Sequence, residues 1–188
     1  KKAVDQLEEV TSPQVQDGTI ELPDFAQDIQ LTNVSYRYPL ATRPALKHMT
    51  LTIRAREKIA IIGPSGSGKS TLLQLLMKEF KRTDGEFLIG DHSIDDICVH
   101  SMYAHMSTML QHNHFFSGTI KSNLLLAKPE ATDEALQRAL DQASLGKQLD
   151  DPIFEKGGNL SGGEKQRLAF ARLLLKESDL WLVDEPFT

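Results

Sequence analysis

Residues 63–71 read Gly63, Pro64, Ser65, Gly66, Ser67, Gly68, Lys69, Ser70 and Thr71. They fit the spacing G-x-x-x-x-G-K-[ST]. Three glycines open backbone conformations that a Cβ forbids. Successive N–H groups, those of Ser65 and Ser67 among them, can then turn inward as an anion nest. Lys69 adds a full positive charge for β- and γ-phosphates. Ser70 offers a hydroxyl to Mg²⁺, and Thr71 lies where an α-phosphate would pass. The chemistry this stretch predicts is the holding of a polyphosphate.

Two further stretches carry polar groups in telling places. At Leu160, Ser161, Gly162, Gly163 and Glu164 a hydroxyl and bare N–H groups open a predicted helix, which makes a second anion site or an ordinary glycine-rich cap. At residues 180–185 four apolar residues precede Asp184 and Glu185. That pattern predicts a buried strand with acids at its carboxyl end. Asp184 would hold Mg²⁺, and Glu185 would polarise an attacking water as general base. Gln111 closes another apolar run, residues 106–110, and could reach Mg²⁺ or a water. Tyr38 could stack on a base, although a plain strand aromatic is the better reading of the residue type alone. His100, His105, His112 and His114 lie close in sequence, but no acidic or thiolate ligands accompany them. Solvated loop histidines are the better reading there.

The elements that must position these groups follow from hydrophobic periodicity. Alternation over residues 29–38 and 49–53 predicts strands, so two or three antiparallel strands precede the glycine-rich loop. Residues 59–62 are a short β-branched run that predicts a buried strand leading into it. A helix is expected to open at Thr71. Residues 86–90 read as a strand. Helices are predicted over 117–126 and 132–143, the second with Thr132 as N-cap and Asp133 and Glu134 in its first turn. The helix beginning at the Ser-Gly-Gly runs to about Lys176, with Leu168, Ala171, Leu174 and Leu175 on its buried side. Residues 1–28 look peripheral: a short helix through Val4, Leu7 and Val10, then a polar linker with Gly18 and Pro23.

The 188 residues suffice for a real core, and the net charge of −5 carries no electrostatic footprint of a nucleic-acid binder. The single cysteine, Cys98, excludes an internal disulfide framework. No apolar run reaches the ~20 residues of a membrane span, and no signal peptide is visible, so the domain is expected to be soluble.

Taken together, the loop at 63–71, Gln111, the LSGG at 160–163 and the acids at 184–185 resemble the ATPase domain of ABC transporters, in that family's order and spacing. The resemblance covers about residues 26–188. It implies an α/β fold: a P-loop NTPase core with an antiparallel β subdomain and a helical signature subdomain, the latter at about 112–178. It implies ATP and Mg²⁺ as ligands. It makes Tyr38 the residue that stacks on adenine. It gives the phosphates to the loop, with Lys69 and Gln111 in catalysis, and Mg²⁺ to Ser70, Gln111 and Asp184. Two such domains would pair head to tail, homo- or heterodimeric, so that Ser161, Gly162 and Gly163 meet the γ-phosphate of the partner's ATP. Glu155, Lys156 and Gly157, with residues 115–120, resemble the exporter type, whose ATPase domain follows a six-helix membrane domain and touches its coupling helices. Residues 1–25 would then be the tether, and the domain would work at the cytoplasmic face of the inner membrane. Residues 119–140 and the LSGGE form are most similar to bacterial heterodimeric cysteine/glutathione exporters of cytochrome bd assembly. An importer subunit and a soluble ABC ATPase are the alternatives.

There are departures from the family pattern. Glu164 stands where Gln is commoner, and residues 149–155 form a short loop. The sequence reaches Thr188 before the family's D-loop and H-loop histidine, which predicts a truncated domain that hydrolyses ATP poorly alone.

Overall fold

The structure, a computed structural model, describes residues 17–110 and 113–184. The chain divides into two compact units between His105 and Met106.

The first unit is built on a four-stranded antiparallel sheet of order β2-β1-β3-β4. Its strands are β1 (Ile29–Tyr36), β2 (Leu46–Ile53), β3 (Asp84–Ile89) and β4 (His92–Ser93). In β1 the apolar alternation changes phase between Leu31 and Val34. A period-2 strand cannot bury both halves of such a pattern without an extra residue. Asn33 supplies it, at φ 53°, and the pairing with both β2 and β3 shifts register there. Ile29, Leu31, Val34 and Tyr36 are consequently all buried.

Helix α1 (Lys69–Leu76) follows the glycine-rich loop, opening two residues before the expected Thr71. Its Leu72, Leu75 and Leu76 are buried. Lys78, just beyond it, is also buried, and its ammonium donates to the carbonyls of Asp95 and Ile97. A 3₁₀ turn (Ile94–Asp96) and helix α2 (Val99–Ala104) complete the unit. Tyr103 of α2 donates to the carbonyl of Met77 at 3.0 Å.

Two expectations change here. Residues 59–62 form no strand among the described residues, and Ile59, Ile61 and Ile62 are 41%, 40% and 93% exposed. An extended run has no hydrogen bonds of its own, and without a neighbouring strand its β-propensity is unused. The segment expected to be a linker also docks in part. Ile20 pairs with Ile97 as an isolated bridge, Ser101 Oγ accepts from Leu22 N at 2.6 Å, and Leu22 and Phe25 are buried. The helix expected through Val4, Leu7 and Val10 lies outside the described residues.

The second unit contains a parallel pair, β5 (Met106–Met109) with β8 (Leu180–Val183). Of β8 only Leu182 is buried, and Trp181 is 44% exposed, which corrects the expectation of a fully buried strand. A short antiparallel pair joins β6 (Gly118–Thr119) to β7 (Pro152–Ile153). Helices α3 (Ile120–Leu125), α4 (Asp133–Gln142) and α5 (Gly162–Lys176) share one apolar core that includes Ile120, Leu124, Leu136, Leu140, Leu168 and Leu173. Thr132 caps α4, accepting from Ala135 N. Helix α3 starts three residues later than expected, because Gly118 and Thr119 are taken into β6 and Thr119 caps the helix with Ser122. On α5 the buried set is Leu168, Ala169, Ala171, Leu173 and Leu175, so Leu173 takes the place expected of Leu174.

Candidate functional site

The phosphate loop is shaped by two left-handed glycines. Gly66 has φ 78°, and open space lies where a methyl group would project from it, which leaves that face free for an anion to approach. Gly68 has φ 93°, and a Cβ there would lie 2.7 Å from both the Ala45 carbonyl oxygen and Leu46 Cδ2. The loop is therefore wedged against the start of β2 in a way only glycine permits. Gly68 is also the N-cap of α1 and makes no side-chain cap, so the first N–H groups of the helix point to the loop with its positive dipole end. Lys69 Nζ donates to the carbonyls of Gly63 at 2.8 Å and Pro64 at 2.9 Å. Its ammonium thus lies folded over the same loop that would hold the phosphates. Ser67 N donates to Pro64 O at 3.2 Å and tightens the turn.

Tyr38 reaches this loop from beyond the end of β1. Its hydroxyl is 2.9 Å from Thr71 Oγ1 and donates to Gln74 Oε1 at 3.3 Å. Its ring meets Tyr36 and Phe80 edge-on, at centroid distances of 5.1 and 5.5 Å, while Tyr36 and Phe80 stack at 5.0 Å. Burial, then the neighbouring Tyr38, raises the Tyr36 pKa above its ordinary value. Tyr38 remains 38% exposed beside the first turns of α1. Phe80 and Gln74 were not singled out by the sequence. Phe80 sits in a charged stretch after the helix and carries no motif.

In the second unit, Ser161 is the N-cap of α5. Its Oγ accepts from Glu164 N at 3.2 Å, and its own N donates to Glu164 Oε2 at 2.8 Å. This reciprocal capping box gives the glutamate at the fifth signature position a structural role. The S-x-x-E spacing is the sequence signal that announces it. Glu164 also lies 3.2 Å from Lys147 Nζ. The Ser161 backbone N–H, then the Ser161 hydroxyl and Lys147, hold its carboxyl down at about 2. The Ser161 hydroxyl accepts from Glu164 N and also carries a proton of its own to donate. Gly162 and Gly163 are exposed, with nothing within 4 Å of a Cβ position, so there is open space beside the first turn of α5.

Asp184 follows β8, and its N donates to Met109 O at 2.8 Å, which extends the parallel ladder by one bond. Gln111 and Glu185 lie outside the described residues, as does His112. The structure thus brings Tyr38, Lys69, Thr71 and the loop glycines together in the first unit. It places Ser161, Gly162, Gly163 and Asp184 in the second.

The segment after Gln111 is anchored by a residue the sequence did not single out. Arg172 of α5 donates through Nη1 to His114 O at 2.7 Å, through Nε to Asn123 O at 2.9 Å, and through Nη2 to Asn123 Oδ1 at 2.6 Å. Its guanidinium lies 4.8 Å from the centre of the Phe115 ring. Burial lowers its pKa to about 10, so it stays charged at neutral pH. Asn123, itself buried, also donates to the carbonyls of Phe116 and Thr119 and accepts from Phe116 N.

The residues present fit a nucleoside triphosphate. The left-handed glycine cradle, the lysine folded over it and the uncapped helix start are a donor set for phosphate oxygens. Mixed α/β content, an antiparallel sheet and this loop define an ABC ATPase fold. The sequence profile of the family described as ABC transporter matches residues 46–188, and the chain belongs to that family as its ATPase domain. Its relatives are transport proteins by name. It is 40% identical to the glutathione/L-cysteine transport system ATP-binding/permease protein CydC of Escherichia coli K12, over 97% of this chain and 32% of that protein. It is 38% identical to the mitochondrial iron-sulfur clusters transporter ATM1 of Candida albicans, over 84% of this chain and 22% of that protein. Among solved structures it is similar to a bacterial Atm1-family ABC exporter with ATP bound, with a TM-score of 0.80, 28% identity, and coverage of 98% of this chain and 34% of that one. The chain spans about a third or less of the length of these relatives.

Proposed function

We propose that the chain is the ATP-binding and ATP-hydrolysing domain of an exporter, which couples ATP-driven pairing of two such domains to movement of a substrate across a membrane. The observation that carries this reading is the phosphate loop: a left-handed glycine cradle opening α1, with Lys69 Nζ folded onto Gly63 and Pro64. On this reading the N–H groups of residues 63–71 and Lys69 hold the β- and γ-phosphates, and Thr71 borders the α-phosphate. Tyr38 stacks on adenine, a role supported by its exposed ring beside the first turns of α1. Ser70, Asp184 and Gln111 would hold Mg²⁺, which when bound neutralises charge on the β- and γ-phosphates. Glu185 accepts a proton from the attacking water as the γ-phosphoryl group leaves ADP as inorganic phosphate.

Ser161, Gly162 and Gly163 serve the γ-phosphate of an ATP held by a second ATPase domain. This is supported by the hydroxyl at the start of α5 and the open space beside Gly162 and Gly163. The P-loop core, the antiparallel subdomain and a helical subdomain at about 112–178 are the finer architecture of this reading. Coupling helices of a membrane domain would meet the Glu155–Gly157 turn, and the domain would then work at the cytoplasmic face of the inner membrane. Residues 1–25 would lead from that membrane domain. The likeness to CydC over nearly the whole chain favours a thiol substrate such as cysteine or glutathione.

Calorimetry of this chain with ATP and Mg²⁺, against Lys69→Ala, tests the core of the proposal. Binding that the substitution abolishes is the expected result. Equal binding by both chains overturns it.

A further inference from the structure

The start of α5 carries a charge conflict. The capping box places the Glu164 carboxylate on Ser161 N at 2.8 Å, at the N-terminus of a 15-residue helix. The proposed function brings a γ-phosphate to the same N-terminus. Two anions at one helix end repel each other, and the macrodipole serves only part of that charge. A glutamine at position 164 would keep the cap without the charge.

Lys147 offsets the conflict. Its Nζ lies 3.2 Å from Glu164 Oε1, on the carboxylate oxygen that the cap does not use. The two side chains are 28% and 26% exposed, so the pair is less screened than a surface ion pair. Lys147 is also held in place from behind. It follows the turn after α4, its N donates to Leu145 O at 2.8 Å, and Leu145 is buried in the core that α4 and α5 share. A lysine fixed in this way meets one oxygen of Glu164 while the Ser161 N–H meets the other.

We propose that Lys147 is a positioning residue of the signature: by neutralising Glu164 it lets the N-terminus of α5 accept the γ-phosphate of an ATP held by a second ATPase domain. The inference rests on the proposed contact between signature and phosphate. It assigns a role to a residue outside every motif and gives Glu164 a partner that glutamine at that position would not need.

The test is steady-state ATPase activity against ATP concentration, in the full-length protein that carries this domain, for Lys147→Ala, Lys147→Arg, Glu164→Gln, the Lys147→Ala/Glu164→Gln double variant and Ser161→Ala. Lys147→Ala is expected to raise KM about threefold with kcat within about twofold of wild type. Lys147→Arg restores KM. In the Glu164→Gln background, Lys147→Ala changes KM by less than about 1.5-fold. An unchanged KM in Lys147→Ala overturns the proposal. So does an equal rise in both backgrounds, which would mean that Lys147 acts on ATP or on folding directly. So does a collapse of kcat that Lys147→Arg does not restore. Ser161→Ala separates the two levels: if it leaves KM and kcat at wild-type values, the phosphate contact itself is wrong and the role of Lys147 falls with it. A raised KM there beside a silent Lys147→Ala overturns only the role of Lys147.

Discussion

The Lys69 ammonium, at the positive start of a helix, is satisfied by the carbonyls of Gly63 and Pro64. A polyphosphate offers better acceptors in the same place, because charge-assisted bonds to phosphate are stronger than bonds to neutral carbonyls. Tyr38 is the other residue whose environment makes a prediction. Its ring and its hydroxyl act separately: the ring would stack on adenine, and the hydroxyl bonds Thr71 and Gln74. Tyr38→Ala is expected to weaken ATP binding about fivefold or more, in line with aromatic–base stacking. Tyr38→Phe keeps the ring and should stay within about twofold of wild type. Fluorescence titration with a labelled ATP reads both. Equal losses in the two variants would assign the effect to the hydroxyl instead.

Among the elements, α5 is stabilised at its start and again past its middle. At its start, the Glu164 carboxyl is depressed to about 2 by the Ser161 N–H, the Ser161 hydroxyl and Lys147. A depressed carboxyl contributes stability that is present above its unfolded value, near 4.5, and is lost as pH falls through its folded value. Thermal melts between pH 5 and pH 2 should therefore show a steeper decline for wild type than for Glu164→Gln. Parallel curves would mean that the box does not hold the charge in solution. Further along, Arg172 joins α5 to α3 and to the segment after Gln111 through three donated bonds to neutral acceptors. Arg172→Ala leaves those acceptors and the buried Asn123 short of a donor. It should cost about 2–3 kcal/mol in urea unfolding. Arg172→Lys should recover little of it, because an ammonium cannot match the planar fork. Full stability of either variant would show that water replaces the guanidinium without loss.

For the whole molecule, the motifs fall in different units: the glycine-rich loop before His105, the Ser161 helix start and Asp184 after Met106. On the proposed reading, ATP bound by one domain is completed by the signature of another, so binding and pairing are one equilibrium. Blocking hydrolysis without blocking binding should then accumulate the paired state. The full-length protein with Glu185→Gln is expected to lose ATPase activity by a factor of about 100 or more while retaining ATP. Cross-linking between a cysteine placed near the phosphate loop of one domain and one near Ser161 of the other should rise with ATP in that variant. No ATP dependence of the cross-link would argue against ATP-driven pairing.

Local chemistry was legible because it is local. The glycine spacing of residues 63–71 matches the left-handed turns at Gly66 and Gly68, and Thr132 and Ser161 cap their helices through bonds only three residues long. The bulge at Asn33 accommodates a phase break between Leu31 and Val34 that reads in the sequence as plain alternation. Contacts between distant residues were not legible in that way. Residues 59–62 have the composition of a buried strand, yet a strand exists only where another strand supplies its hydrogen bonds, and among the described residues none does. The stacking of Phe80 on Tyr36, the grip of Arg172 on His114 and Asn123, and the approach of Lys147 to Glu164 each join residues with no shared motif. Turns and caps can be read straight from the chain, because their energies depend on neighbours a few residues away. Which charged side chains meet is settled by packing, because buried helices and strands bring distant parts of the chain within 3 Å or so of one another.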